Sequence, residues 1–174
     1  MPEEKIVVLM GSPRDLQFAT KIKSFLKKEK FPVSCVYNVA SAHRTPEKLL
    51  NDLKENEKRG SRIVYVTVAG LSDALSGVVA GYTRFPVIAC PPDSEEHGGI
   101  KVFSSTAMPN GIPVAYVAKP ENAALAAIRI FALTNPELKE QLDKFKQKMA
   151  KAVYDGAEEV KKITEKKDVN RLAV

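Results

Sequence analysis

The chain has 174 residues, of which 44% are hydrophobic and 28% are charged, and its formal net charge is +6 at pH 7. This length and composition predict one soluble domain with at most an appendage. The positive charge raises the question of a nucleic-acid partner, but lysines alternate with glutamates at 27–30 and 54–58, and aromatic residues are few. Mixed signs at this spacing are typical of a solvated helix face, so we expect no nucleic-acid partner.

The cysteines and the start of the chain indicate the compartment. Cys35 and Cys90 lie inside apolar runs and are too few for a disulfide framework, so we expect buried, reduced thiols. Residues 1–5 lack the charged-then-apolar layout of a signal peptide, and no apolar run is long enough to span a membrane. We therefore expect a cytoplasmic protein with no membrane partner.

Strand and helix patterns alternate from the first residues. A continuous apolar run at 6–10 predicts a strand covered on both faces, and a turn at 11–14 ends it. Asp15 is a suitable N-cap for a helix whose apolar stripe runs from Leu16 to Leu26. This order predicts a first strand-helix unit with a glycine-containing turn between its two elements.

The second unit has a more distinctive loop. Residues 33–39 predict a strand, and residues 41–45 predict a loop of small and polar residues. Pro46 then suits the first position of a helix, because its missing N–H would have no intrahelical partner there. The loop therefore lies immediately before a helix N-terminus.

Three further strand patterns follow, and a polar segment interrupts them. The predicted strands are 63–68, 86–90 and 113–117, and the predicted helices between and after them are 72–82 and 120–133. The polar, glycine-containing segment 93–99 predicts a loop, and His97 within it is expected to be solvated or to act as a lid residue.

Five such units predict an α/β fold with a doubly wound parallel sheet, because each right-handed crossover covers one face of the sheet. Ligands of these sheets bind beyond the carboxyl ends of the strands, near the point where the strand order reverses. The loops at 11–15, 41–46 and 69–73 follow the first three strands and open onto that edge. We therefore expect the functional site to lie among these three loops.

Residues 136–174, here called the C-terminal arm, differ in kind from the α/β domain at 1–135. Apolar residues at 138, 142, 145, 149 and 153 form a narrow stripe on a highly charged helix. We predict that this stripe packs on a neighbouring subunit of a homo-oligomer. Packing back onto its own domain is the alternative.

The loop after the first strand has the features of an anion site. Gly11 lets the backbone approach a ligand, and the helix start that follows offers free N–H groups and the positive end of a dipole. A phosphate fits there, with the Ser12 hydroxyl and the Arg14 guanidinium as further donors. Asp15 could cap the helix, bind a sugar hydroxyl or do both. An ordinary turn is the alternative.

The loop after the third strand repeats this logic with Ala69 and Gly70. Ser72 follows as an N-cap or a ligand. Two glycine turns that meet at one crevice could hold a small anionic ligand from both sides.

His43 is one of two histidines and lies on no apolar face. It stands beside Arg44 in the loop of small residues, just before a helix start. An imidazole titrates near neutral pH, so the position suits a general acid or base. A loop histidine with no role is the alternative. No second histidine or cysteine falls at ligand spacing, so we expect no metal.

Together the three loops resemble those of the aminoimidazole ribonucleotide carboxylases and mutases of purine biosynthesis. The matching segments are the GSxSD-like 11–15, SAHRTP at 41–46, the Ala-Gly turn at 69–70, CPP at 90–92, and SS with MPNG within 104–111. The resemblance covers residues 6–133. It implies a flavodoxin-like three-layer sandwich and a homo-octamer, with the C-terminal helix reaching onto a neighbour.

The resemblance also implies a reaction and a set of site residues. The reaction is carboxylation of 5-aminoimidazole ribonucleotide without metal, biotin or ATP, so the expected partners are the ribonucleotide and carbon dioxide or a carbamate, with no cofactor. At the matching positions, Ser12 and Arg44 would bind the phosphate and Asp15 the ribose. His43 matches the family's general acid/base. The other residues expected to bind substrate are Gly11, Arg14, Ser41, Ala42, Ala69, Gly70 and Ser72.

Departures from the family pattern leave the carbon source open. The AGLSD loop at 69–73 is closer to the AGRSN loop of the branch that uses carbon dioxide directly, although Leu71 and Asp73 replace its Arg and Asn. Arg44 is typical of the mutase branch, and Arg14 replaces the second serine of GSxSD. We favour the carboxylase, with the mutase as the close alternative and a non-catalytic nucleotide-binding module as the remote one.

Overall fold

The structure is a computed structural model, and it describes residues 3–58, 60–92 and 100–171. For residues 166–171 it describes the backbone alone. The predicted loop 93–99, with His97, lies outside the described residues. Among the described residues, no helix combines the length and the apolar character needed to cross a membrane.

Five strands form one sheet in which every neighbouring pair is parallel. They are β1 (Glu4–Met10), β2 (Ser34–Val39), β3 (Arg62–Val68), β4 (Val87–Ala89) and β5 (Ala115–Tyr116). Their order in the sheet is β2-β1-β3-β4-β5, so the winding reverses between β1 and β3. This is the order of flavodoxin-like doubly wound sheets, and the predicted fold class is confirmed.

Within the parts of the chain that the structure describes, six α-helices accompany the sheet. They are α1 (Leu16–Lys28), α2 (Pro46–Lys58), α3 (Ala74–Tyr82), α4 (Phe103–Thr106), α5 (Pro120–Ala132) and α6 (Pro136–Arg171). The short α4 has no counterpart among the predicted elements, because four residues are too few to produce a helical periodicity.

The sheet is buried on both faces by separate apolar layers. Ile6, Val8 and Met10 of β1 pack into a cluster with α1, α5 and the start of α6. Val7 and Leu9 point to the other face and pack with α2 and α3. Burial on two faces is why β1 has no polar alternation and reads as a continuous apolar run.

The N-caps differ in detail from the sequence expectation. Asp15 occupies the N-cap position of α1, but its carboxylate does not cap that helix. It accepts instead from the backbone N–H of Ser12 and closes a capping box around the 3-10 turn Pro13–Asp15. Helix α3 begins at Ala74, so Asp73 is its N-cap.

Both cysteines are buried and are not joined in a disulfide, as predicted from their apolar surroundings. Burial raises the pKa of the Cys35 thiol to about 11. A thiol with so high a pKa stays protonated near neutral pH, so Cys35 acts as a core residue.

Helix α6 is divided between the domain core and the surface. Leu138 and Leu142 are buried in the cluster on the α1 and α5 face, and Phe145 meets Phe25 edge-to-face with ring centroids 5.7 Å apart. The large apolar side chains further along the helix are exposed: Met149, Val153, Tyr154, Val160 and Ile163. The first three turns therefore pack on their own domain, and the later turns present an unpartnered apolar stripe.

Candidate active site

The loops after β1, β2 and β3 enclose one cavity of about 880 Å³ at the carboxyl edge of the sheet. Strand pairing continues up to this edge, since the Gly11 N–H donates to the Val68 carbonyl at 2.9 Å and the Ala40 N–H to the Met10 carbonyl at 3.0 Å. All the site residues predicted from the sequence line this cavity: Gly11, Ser12, Arg14, Asp15, Ser41, Ala42, His43, Arg44, Ala69, Gly70 and Ser72. Pro13, Leu71 and Leu75 complete the lining.

The loop after β1 is held in shape by its own hydrogen bonds. The Ser12 N–H donates to Asp15 Oδ2 at 3.1 Å, and the Ser12 hydroxyl accepts from the Arg14 N–H at 3.3 Å. These bonds lie within four consecutive residues. The turn that faces the cavity is therefore preformed before any ligand arrives.

Asp15 is the half-buried carboxylate of the site. Burial raises the pKa of its carboxyl group, and this effect is opposed by the Ser12 hydrogen bond and by the positive charges of Arg44 and Lys101. Two cations near one carboxylate favour its ionised form, which accepts hydrogen bonds and donates none.

The loop after β2 is closed by Ser41 and Thr45. The Ser41 N–H donates to Thr45 Oγ1 at 2.9 Å, and the Arg44 N–H donates to Ser41 Oγ at 3.2 Å. The Arg44 side chain then crosses to the neighbouring loop, where Nη2 donates to the Gly11 carbonyl at 3.1 Å. Arg44 thus fixes the distance between the first two loops.

His43 is exposed at the tip of this loop and lines the cavity. The next turn begins α2 at Pro46, so the imidazole stands at a helix N-terminus. No hydrogen bond joins the ring to another residue within the described parts of the chain. The His43 ring is therefore positioned by the backbone of its loop, without a hydrogen bond that orients the imidazole toward a ligand.

The loop after β3 contains a buried carboxylate that the sequence reasoning did not assign to the site. Asp73 is 3% exposed, and its side chain accepts from the Ser76 N–H at 2.9 Å and from the Ser105 hydroxyl at 2.7 Å. The Asp-x-x-Ser spacing at 73–76 is the signal that could have identified the cap. Ser72, which was considered for that role, lines the cavity instead.

Lys101 is the second residue that sequence reasoning missed. Its Nζ donates to the carbonyl oxygens of Gly70, at 3.4 Å, and of Pro92. Lys101 and Gly70 are 31 positions apart in the chain, so no local pattern relates them. Only the packing of the 100–106 segment against the loop after β3 brings this cation to the edge of the cavity.

Within the described residues, no group of three or more His, Cys, Asp or Glu side chains converges to form a metal site.

Comparison with protein families identifies the family to which this chain belongs. The family model described as AIR carboxylase matches residues 5–152. The chain belongs to the AIR carboxylase family. The match covers every described loop that lines the cavity, and it ends within α6, so the last turns of that helix lie beyond the matched region.

Curated relatives in the family carry two names. A phosphoribosylaminoimidazole carboxylase of Archaeoglobus fulgidus is 45% identical over 90% of this chain and 85% of the relative. An N5-carboxyaminoimidazole ribonucleotide mutase of Methanocaldococcus jannaschii is 42% identical over 91% of this chain and 98% of the relative. Because the chain is similarly identical to relatives of both names, these identities do not distinguish the carboxylase from the mutase.

A solved structure agrees with the fold. The crystal structure of Treponema denticola PurE superposes with a TM-score of 0.84 at 38% identity, covering 88% of this chain and 96% of the other. The family resemblance predicted from the three loop motifs is confirmed.

Proposed function

We propose that this chain carboxylates 5-aminoimidazole ribonucleotide at its ring carbon in purine biosynthesis, using carbon dioxide directly and no cofactor. The observation that carries the proposal is the convergence of His43 with two glycine turns on one cavity at the switch point of the sheet. Membership of the AIR carboxylase family supports the substrate class.

The cavity offers separate places for the parts of a ribonucleotide. Ser12 and Arg44 line the cavity from the first two loops, where a phosphate would meet a hydroxyl and a guanidinium. Asp15 lies next to Gly70, since a Cβ on that glycine would be 3.2 Å from Asp15 Oδ1. We assign the ribose hydroxyls to Asp15 and the base to the wall made by Ser41, Ala69 and Gly70.

The chemistry then needs one proton transfer. The electron-rich ring carbon attacks carbon dioxide, a carbon–carbon bond forms, and the proton on that carbon must leave to restore the aromatic ring. We assign its removal to the His43 imidazole, which lines the cavity and lies within the loop beside the base wall. Arg14, Ala42 and Ser72 are assigned to substrate contact at the rim.

The mutase is the second candidate, and two observations favour it. Arg44 is the residue typical of that branch, and it forms the link between the first two loops. A relative named as a mutase is nearly as similar as one named as a carboxylase. In the mutase reaction the same His43 would act, but carbon dioxide would come from the carbamate within the closed pocket.

Carbon-source competition tests the proposal. The purified protein is given either 5-aminoimidazole ribonucleotide with bicarbonate or the carbamate isomer with a carbon dioxide scavenger, and formation of the ring-carboxylated product is followed. A carboxylase forms product in the first mixture and is suppressed in the second. Efficient conversion of the carbamate despite the scavenger would establish the mutase, and binding without turnover in both would establish the non-catalytic module.

We also propose a cytoplasmic homo-octamer in which the C-terminal arm packs on a neighbouring subunit. The exposed apolar stripe from Met149 to Ile163 supports this part, because isolated water-exposed stripes of this length are found at subunit contacts. Leu138 and Leu142 belong to the domain core, so deletion of the whole arm would confuse assembly with unfolding.

Two charge substitutions in the exposed stripe test the assembly. Val153→Glu and Val160→Glu change exposed side chains, so the fold of the single subunit should survive. We expect the double variant to lose mass in solution while keeping its far-ultraviolet circular dichroism. A control, Lys144→Gln, alters an exposed residue of the same helix that pairs with Glu140 and does not belong to the stripe. An unchanged mass of the double variant would remove the stripe from the assembly contact.

A further inference from the structure

Lys101 reaches the site from a segment that is distant in the chain. It lies in the 3-10 turn Ile100–Val102, and its half-buried side chain extends back to the loop after β3. There Nζ binds the carbonyl oxygens of Gly70 and Pro92. Because Gly70 lines the cavity, this lysine ties one wall of the site to the chain that follows β4.

The Lys101 segment is itself held by a buried carboxylate. The Ser105 hydroxyl donates to Asp73 Oδ2 at 2.7 Å, and the Asp73 N–H donates to the Ser104 hydroxyl at 2.9 Å. The same Ser104 hydroxyl donates to the Lys101 carbonyl at 2.7 Å. Two consecutive serines therefore fix the backbone of Lys101 to the residue that caps α3. A shift of Lys101 would leave buried polar groups unpaired, which opposes the movement.

Two positive charges act on the Asp15 carboxylate. Arg44 approaches from the loop after β2, and Lys101 approaches from the β3 side of the cavity. Arg14 stands on the same turn as Asp15 and lines the same cavity. Gly70 brings Lys101 and Asp15 together, because its carbonyl binds the lysine while a Cβ on it would meet Asp15 Oδ1 at 3.2 Å. Arg44 and Lys101 are the charged groups whose interaction with Asp15 is established within the described residues, and the titratable His43 lines the same cavity.

We propose that Lys101 is a positioning residue of the ribonucleotide site: it holds the Gly70 turn against Asp15 and supplies a positive charge near that carboxylate in addition to Arg44. Asp15 can then accept hydrogen bonds from the substrate with two cations near it. Lys101 acts through Asp15 and Gly70. The inference rests on the proposed function, because the molecule being positioned is the ribonucleotide assigned to this cavity.

Substitutions of Lys101 distinguish the effect of its charge from the effect of its packing. Lys101→Met keeps the apolar stem and removes the charge, Lys101→Arg keeps the charge, and Lys58→Met is a control at the far end of α2, where that lysine pairs with exposed Glu55. Each full-length variant is assayed with 5-aminoimidazole ribonucleotide over a range of pH, and its thermal midpoint is measured.

We expect Lys101→Met to raise KM about tenfold with a much smaller change in kcat, because it weakens binding of the substrate rather than proton transfer. Loss of a cation beside Asp15 disfavours its ionised form, so the acidic limb of kcat/KM should move up by about half a pH unit. Lys101→Arg should keep the limb in place, and Lys58→Met should change nothing. An acidic limb at the wild-type position in Lys101→Met, or an unchanged KM, would overturn the proposal.

A measurement without substrate keeps this inference distinct from the proposed function. The carboxyl carbon of Asp15 is titrated by ¹³C NMR in the wild type and in Lys101→Met, and it is assigned by its loss in Asp15→Asn. The titration midpoint should be higher in Lys101→Met. If the wild type shows no turnover but the midpoint moves, the proposed function fails and the Lys101–Asp15 coupling stands. If the midpoint stays in place, the coupling is refuted whatever the activity.

Discussion

The two walls of the cavity are built in different ways. The wall made by the loops after β1 and β2 is closed by hydrogen bonds between residues three or four positions apart, such as Ser12 with Asp15 and Ser41 with Thr45. The wall made by the loop after β3 depends on a segment about 30 residues further along, through Asp73 with Ser105 and Gly70 with Lys101. Local hydrogen bonds shape each loop of the first wall, with the Arg44–Gly11 bond joining the two loops, whereas tertiary packing shapes the second wall.

The two walls therefore have different roles. The locally closed wall carries His43 and Arg44, whose backbone positions follow from short, self-contained turns. The other wall joins helix α3, the Gly70 turn and the 100–106 segment into one unit around a buried carboxylate. Substitutions in the first wall should therefore alter chemistry and binding, whereas those at the centre of the second should alter stability first.

The largest expected effect tests the first wall. His43→Asn removes the proton acceptor but keeps a polar side chain of similar size, so kcat should fall by about 10² to 10⁴-fold while nucleotide affinity is kept. Turnover and equilibrium binding of 5-aminoimidazole ribonucleotide are measured on the same preparation. Normal turnover in this variant would remove His43 from the reaction.

The next effect tests the buried carboxylate of the second wall. Asp73→Ala leaves the Ser76 N–H and the hydroxyls of Ser76 and Ser105 without their acceptor, so the free energy of unfolding should fall by about 2 to 4 kcal/mol. Urea denaturation measures the loss. Asp155→Ala is the matched control, because that carboxylate is exposed and pairs only with Lys151 on the helix surface; equal losses in both variants would contradict the assignment.

A smaller effect tests the bridge between the first two loops. Arg44→Met removes both the Nη2 bond to the Gly11 carbonyl and the charge assigned to the phosphate, so KM should rise about 10 to 100-fold. Arg44→Lys keeps the charge, so its KM should lie between that of the wild type and that of Arg44→Met. A KM for Arg44→Met equal to that of the wild type would mean that the phosphate is bound elsewhere.

The smallest effect compares the two glycines directly. A Cβ on Gly11 would find its nearest neighbour at 3.8 Å, whereas a Cβ on Gly70 would lie 3.2 Å from Asp15 Oδ1. Gly11→Ala should therefore keep its thermal midpoint and raise KM only about threefold, through the methyl group in the ligand's path. Gly70→Ala should reduce the free energy of unfolding by about 1 kcal/mol, which lowers the thermal midpoint by a few degrees. A larger loss of stability in Gly11→Ala than in Gly70→Ala would reverse the comparison of the walls.

Much of the site could be predicted because its residues lie on loops that follow consecutive parallel strands. Once the apolar runs at 6–10, 33–39 and 63–68 were read as strands, the topology rule placed their loops at one edge. Asp73 and Lys101 could not be found in this way, because their contacts join segments with no common periodicity. The sequence left Ser72 open as an N-cap of α3 or a ligand, because Ser72 and Asp73 are both suitable caps by residue type, and the structure assigns the cap to Asp73.

The C-terminal arm shows the same limit. Its apolar stripe was visible in the sequence, but the stripe does not reveal which turns face the chain's own core. Leu138 and Leu142 are buried because α6 lies beside α5, and Phe145 is partly buried because it reaches Phe25 of α1. The turns beyond them extend past the domain and remain exposed.

The sequence by itself determined the strand-helix alternation, the family and eleven of the fourteen residues that line the cavity, since each depends on local patterns or on order along the chain. Tertiary structure alone decided the closeness of Asp15 to Gly70, the burial of Asp73, the position of Lys101 and the division of α6. Those features arise from contacts between residues far apart in the chain, where geometry and charge are fixed only after the layers have packed.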